Sequence, residues 1–242
     1  MENILEAKDI SISFGGVKAV QHLSFDIHKG EILGLIGPNG SGKSTVVNLI
    51  SGVYKLDTGK IIFDGKEIPH DEGIAARARR GMGRTFQTPK PFSALSVYEN
   101  VYITALQKHD AKGAAQMTEK ILKETELINL AEMQSAKLPI EKRKWLDLAR
   151  ILVNEPKFIM LDEVLAGLNP SEMESSLELI RYLNQKLGVS LLFIEHVMKA
   201  VLQICTRCVV MEEGKLLAEG DPAEVLSRKE VIAAYLGSEE EE

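Results

Sequence analysis

Cysteine is almost missing from this chain. Two stand in 242 residues, Cys205 and Cys208 in "ICTRC". The spacing is that of a redox or metal CxxC pair, but two thiols cannot close a four-ligand zinc site, and no histidine lies near them. They read as small buried apolar residues, Cys205 at a helix end and Cys208 at the start of the strand "CVVM". Long apolar runs are missing too. None reaches the roughly 18 residues of a membrane-spanning helix, so the chain is not expected to cross a membrane by itself. The start, "MENILEAKDI", is acidic and too poor in apolar residues for a signal peptide, which makes a cytoplasmic location the expectation. Positive charge is in deficit: 29 Lys and Arg against 35 Asp and Glu leave a formal net charge of -6. A general nucleic-acid binder shows the opposite balance.

What is present is ordinary for a globular protein, with 45% hydrophobic and 26% charged residues. The length allows one large domain, or a core carrying a smaller lobe. "ILEAKDISISF" alternates and predicts a strand. "LSFDIHKGEILGLIG" predicts two more, broken at His28-Lys29-Gly30. "KSTVVNLISGVY" predicts a helix, and "TGKIIFDGKEI" a hairpin turning at Asp64-Gly65. From about Val97 to Asn154 the pattern is helical, as in "AAQMTEKILKETEL" and "KRKWLDLARILV", which predicts a helical lobe inserted in the core. "KFIMLDE", the amphipathic "SEMESSLELIRYLNQKL" and "SLLFIEH" then alternate strand, helix, strand, as in a parallel α/β core, and "RCVVMEEGKLLAEG" predicts a closing hairpin. The expectation is one domain over residues 1–236, with the lobe at about 97–154, and a solvated acidic tail over 237–242.

The strongest signal is "GLIGPNGSGKST". Gly37, Gly42, Lys43 and Ser44 match G-x-x-x-x-G-K-[ST] between an apolar strand and a helix. Such a loop, Gly37-Pro38-Asn39-Gly40-Ser41-Gly42-Lys43-Ser44-Thr45, turns successive N–H groups toward phosphate oxygens. Lys43 would reach the outer phosphates, Ser44 would offer its hydroxyl to Mg²⁺, and the helix start adds its dipole. A phosphate loop needs an acidic partner on a neighbouring strand. "FIMLDE" supplies Asp162, placed to hold Mg²⁺ through a water, and Glu163, which could polarise the attacking water.

With these residues in this order, the chain resembles an ATP-binding cassette (ABC) transporter subunit over nearly its whole length. The resemblance implies a P-loop α/β core with an antiparallel β subdomain and an inserted helical lobe. It also implies that Phe14 stacks on adenine, that Gln87 in "RTFQ" contacts Mg²⁺, and that His196 contacts the terminal phosphate. "AGLNP" would be the loop crossing a dimer interface, with Asn169 where many members carry aspartate. The wording "SFGGVKAV", "GMGRTFQ", "LSVYENV", "AGLNPSE" and "LLAEGDPAEV" is similar to the ATP-binding subunits of branched-chain amino-acid importers, and urea and amide importers share it. Such a subunit hydrolyses ATP on the inner face of the cell membrane, bound to integral-membrane permease subunits that a separate solute-binding protein supplies.

One stretch departs from the family. Where the family begins a helix with a serine-glycine signature, this chain has Leu138-Pro139-Ile140-Glu141-Lys142. The resemblance puts that signature against ATP on the opposite subunit, so Pro139 replaces the serine and Glu141 the glycine of close approach. Lys142, Arg143 and Lys144 then load positive charge where a helix dipole prefers anions. They could offset Glu141, reach a phosphate, or form a solvated face. Val164 and Val197 also replace the usual proline and aspartate. The defect predicts a heterodimer with a paralogous subunit carrying an intact signature. It also keeps a second reading open, a nucleotide-gated regulatory dimer with little turnover. A soluble cassette acting in DNA repair or translation fits less well, given the negative charge and the absence of long insertions.

Overall fold

In the computed structural model, which describes residues 2–237, alternation of buried side chains organises the molecule around two sheets. The acidic tail, apart from Gly237 at the end of the last helix, lies outside the described residues. Strands β1 (Asn3–Phe14) and β2 (Val17–His28) form an antiparallel hairpin turning at Gly15-Gly16. Its register shifts between Ala7 and Ile10, where Asp9 takes a positive φ. That bulge moves the buried positions from Leu5 and Ala7 to Ile10 and Ile12.

Strand β3 (Ile32–Ile36) is buried throughout and feeds α1 (Lys43–Ser51). This helix is shorter than its sequence suggested, because Gly52 takes a left-handed conformation (φ 81°) and caps it before Val53 and Tyr54. β4 (Thr58–Phe63) and the short β5 (Lys66–Glu67) complete the antiparallel sheet, in the order β2-β1-β4-β5. Two elements that the periodicity did not predict follow, α2 (Ile74–Arg79) and β6 (Met82–Arg84).

The helical lobe holds α3 (Val97–Ala105), α4 (Ala111–Glu124), two 3₁₀ turns and α5 (Ile140–Leu152). Its one β feature is an isolated bridge between Ser96 and Gln134. β7 (Phe158–Asp162), α6 (Pro170–Leu187), β8 (Ser190–Ile194), α7 (Met198–Ile204), β9 (Arg207–Glu212) and β10 (Lys215–Gly220) return to the core. α8 (Pro222–Leu226) and α9 (Lys229–Gly237) finish the described chain.

The second sheet runs β10-β9-β3-β8-β7-β6, parallel except for the β9–β10 hairpin. Its faces separate by period two. Leu33, Leu35, Met160, Leu192 and Val209 pack with α1 and the antiparallel sheet. Ile32, Ile36, Leu161, Phe193 and Val210 pack with the helices of the other side. Cys205 ends α7 and Cys208 lies in β9, both buried and free. A Cβ on Gly34 would come within 3.2 Å of the Cys205 Sγ, so the thiols fill a close helix–strand contact, as their apolar reading expects. Burial pushes both pKa values up, Cys208 to about 11, which leaves them unreactive. Arg207 ties the sheets together, donating to the Asp26 carbonyl of β2 at 2.7 Å, to Glu31 at 2.9 Å and to Glu219 of β10.

Candidate functional site

The phosphate loop curls because the chain leaves β3 at Gly37 and enters α1 at Lys43 under neighbouring backbone. Gly37 has φ 149°, and a Cβ there would lie 2.2 Å from the Met211 carbonyl oxygen. Gly42 has φ 103°, and its Cβ would lie 2.5 Å from the Ala19 oxygen. Both conformation and space therefore require glycine. Lys43 is buried, and its ammonium donates to the carbonyls of Gly37 (2.8 Å) and Pro38 (2.9 Å). Its Nζ also lies 3.4 Å from the Ser41 Oγ. Burial lowers the Lys43 pKa, and the negative charges of Glu163 and Asp162 oppose that shift. Asn39, Gly40, Ser44 and Thr45 line a cleft that also takes in Glu163 and His196.

Asp162 ends β7 between β6 and β8. Its backbone N–H donates to the Thr85 hydroxyl, and its Oδ2 accepts from Arg84 at 3.1 Å. Burial raises its pKa and Arg84 opposes this. Arg84 also donates to Asn48 Oδ1 (2.6 Å) and Ser51 Oγ (3.0 Å) of α1, and lies 5.1 Å over the Phe86 ring. Glu163 takes a positive φ of 50°, and its N–H donates to the Ile194 carbonyl at 3.0 Å. Its carboxylate joins the other polar candidates: Oε2 accepts from Gln87 Nε2, and Oε1 lies 3.1 Å from His196 Nε2. Phe14 sits apart from this cluster, half-exposed, its ring edge-on to Tyr54 at 5.1 Å between centroids.

The three cations at the head of α5 are all engaged within the chain. Pro139 is the N-cap of α5 and not part of its first turn, and no side chain caps the end. Glu141 falls in the first turn, where the dipole favours an anion, and is almost buried. Lys142 lies 3.6 Å from the Glu141 carboxylate and 3.3 Å from the Trp145 ring centroid. Arg143 donates to the Ala136 and Leu138 carbonyls. Lys144 is buried and donates to the Ala166 carbonyl at 2.6 Å. Of the possibilities the sequence offered, pairing with Glu141 is seen for Lys142 alone, while Arg143 and Lys144 bind backbone carbonyls, which was not foreseen.

Sequence reasoning also passed over Arg84, Tyr54 and Glu195. Arg84 stands in "GMGRTFQ", three residues before Gln87 and soon after Arg79 and Arg80, and nothing in that stretch sets it apart from its neighbouring cations. On the far side of Arg84 is a cavity of about 490 Å³, lined by Ile74, Phe86, Phe92, Ile103, Arg77 and Arg150 among others. Phe92 is 51% exposed there, under the Arg150 guanidinium at 5.0 Å. No described helix is long and apolar enough to cross a membrane.

The oxygen set of Ser44, Gln87 and Asp162 suits a hard cation such as Mg²⁺. With its amide nitrogen on Glu163, Gln87 keeps its carbonyl oxygen for such a role. No cluster of three or more His, Cys, Asp or Glu able to hold a metal occurs among the described residues.

A family model described as ABC transporter matches residues 20–166, and one described as branched-chain amino acid ATP-binding cassette transporter matches residues 215–241. The chain is 34% identical to a probable branched-chain amino acid transport ATP-binding protein LivG of Archaeoglobus fulgidus, over 99% of this chain and 97% of that one. It is 36% identical to the LivG protein of Salmonella typhimurium (97% and 98% covered), and 34% identical to the lipopolysaccharide export ATP-binding protein LptB of Escherichia coli (97% and 98%). Among solved structures, an ATP-binding cassette of an ABC transporter in its ADP conformation superposes with a TM-score of 0.88 at 32% identity, covering 98% of this chain and all of that one (100%). A strand-to-helix phosphate loop, a carboxylate at the adjoining strand end and a cassette fold matched along the whole chain lead to one conclusion: this protein belongs to the ABC transporter family, as an ATP-binding subunit that hydrolyses ATP.

Proposed function

We propose that this chain energises a membrane importer for branched-chain or related amino acids, working with integral-membrane permease subunits and, as a heterodimer, with a paralogous ATP-binding subunit. The observation that carries the ATPase part is the cleft itself, in which Glu163, held between Gln87 and His196, faces the Gly37–Thr45 loop. In this reading residues 1–236 act as one nucleotide-binding domain. Phe14 supports the adenine, and the loop's N–H groups with Lys43 hold the phosphates. Glu163 takes a proton from the attacking water, while His196 fixes the carboxylate and meets the terminal phosphate. Ser44, Gln87 and Asp162 would hold Mg²⁺, which, when bound, neutralises phosphate charge. Glu163→Gln should keep ATP binding and slow hydrolysis, and unchanged turnover would remove that role from Glu163.

The solute assignment rests on the carboxyl-terminal match over residues 215–241, because overall identity separates the relatives little, at 34% and 36% for the two LivG proteins and 34% for LptB. In this reading the apolar and basic groove at Phe86 and Phe92 receives a permease segment, and the chain works on the inner face of the membrane. A solute-binding protein would act through those permeases. The heterodimer follows from α5: Lys142 offsets the Glu141 charge, but no serine hydroxyl or glycine backbone is restored there. ATP-dependent dimerisation of Glu163→Gln alone, then with Glu141→Gly added, tests this. Tight association without the second change would refute the heterodimer. The reading with little turnover is favoured by the same uncapped helix start, and single-turnover hydrolysis with and without a paralogue separates the two.

A further inference from the structure

The loop that follows Glu163 is gripped from two sides by charged side chains that are themselves buried. From α5, Lys144 donates to the Ala166 carbonyl at 2.6 Å and approaches the Glu163 carbonyl at 3.4 Å. From the end of β8, Glu195 accepts the Leu165 N–H at 2.7 Å. Lys144 and Glu195 are 9% and 2% exposed. Between them the chain turns through Glu163 at positive φ, with the Ala166 N–H returning to the Glu163 carbonyl at 3.2 Å. A glutamate in the left-handed region is strained, and such strain persists where the surroundings over-determine it. Burying an ammonium is also costly, and an apolar side chain of similar volume would fill the space more cheaply. Both carbonyls that Lys144 meets belong to this one loop.

We infer that Lys144 is a positioning residue for ATP hydrolysis: working against Glu195, it fixes the 163–168 loop and thereby the angle at which the Glu163 carboxylate faces the phosphate cleft. The inference rests on Glu163 being the water-polarising group. Lys144 touches no reacting atom in this arrangement and acts through the backbone of Glu163 and Ala166. Burial lowers its pKa, while Glu195 and Glu163 favour the charged form. The third cation of the unusual helix start is thus assigned to the chain's own hydrolytic residue and not to a phosphate.

The test compares Lys144→Met, Lys144→Arg and Lys144→Met combined with Glu195→Gln, the last removing both charges so that none is left unpaired. Hydrogen exchange of the full chain reads the loop without requiring turnover. Steady-state kinetics of the assembled transporter reads the chemistry. For both Met variants, exchange across residues 163–168 should rise by about tenfold or more, and kcat should fall by a similar factor, with KM for ATP unchanged. Lys144→Arg should recover both. Three results would overturn the inference: unchanged loop exchange, faster exchange with unchanged kcat, or parallel losses of KM and thermal stability with normal kcat. Glu163→Gln measured alongside separates the two claims. If it turns over normally, the role of Glu163 fails. If it is inactive while the Lys144 variants are normal, only the positioning role fails.

Discussion

Glutamine at position 195 should stabilise the protein increasingly as pH rises. Glu195 follows β8 and is almost wholly buried, with the Leu165 and His196 backbone N–H groups, Lys144 and Glu163 as its polar surroundings. Burial is the largest influence, and with the Glu163 charge it outweighs the two backbone hydrogen bonds and Lys144. The pKa is pushed up to about 7 from the ordinary glutamate value of 4.5. Between those values the unfolded chain has lost this proton and the folded chain still holds it. Stability is therefore fully present below about pH 4.5 and lost as pH rises through 7. A gap of about 2.5 pH units, at about 1.4 kcal/mol each, amounts to about 3 kcal/mol. Glu195→Gln keeps an oxygen for the Leu165 N–H and removes the titration. Urea unfolding of both proteins in steps from pH 4.5 to 8 should show curves that diverge by about this amount, glutamine gaining at the alkaline end. Parallel curves would refute the reasoning, because they would mean that Glu195 ionises alike in both states.

Lys43→Ala should abolish measurable ATP binding by removing the charge that faces the outer phosphates, and unchanged affinity in a nucleotide titration would contradict this. Gly42→Ala puts a Cβ 2.5 Å from the Ala19 carbonyl oxygen at φ 103°, so calorimetry should show a loss of about 2 kcal/mol or more. Phe92→Asp should leave nucleotide affinity intact and uncouple transport, by removing the apolar ring that the docked segment would cover. Full transport by that variant would take Phe92 out of the docking surface.

The strands were legible because β1 and β2 alternate, as at Leu5 and Ala7, while β3, β7 and β8 are short apolar runs buried throughout. The end of α1 was less legible: the apolar Val53 and Tyr54 carried the helical pattern past Gly52, which caps the helix in a left-handed conformation. α2 was not legible. "IAARAR" has no apolar stripe and is held by Arg77, which donates to the Leu49 and Ile50 carbonyls at the end of α1. β6 has only three residues and exists because β7 offers it a free edge. At the site, the residues within one loop or strand end could be read from spacing. Arg84, Lys144 and Glu195 could not, because a charge reveals its role only through partners that the fold supplies from distant segments, such as Asp162, Ala166 and Leu165.

Arg207 has a mechanical consequence. One guanidinium holds the hairpin that ends in Phe14, the approach to the strand that launches the phosphate loop, and the sheet's outer edge. The Gln21 N–H reinforces this with a 2.7 Å bond to the Gly214 carbonyl. The residues proposed to support the two ends of a nucleotide, base and phosphates, therefore sit on one stiff plate. In the proposed reading, a nucleotide bound there would be held at its base and at its phosphates by a single rigid support.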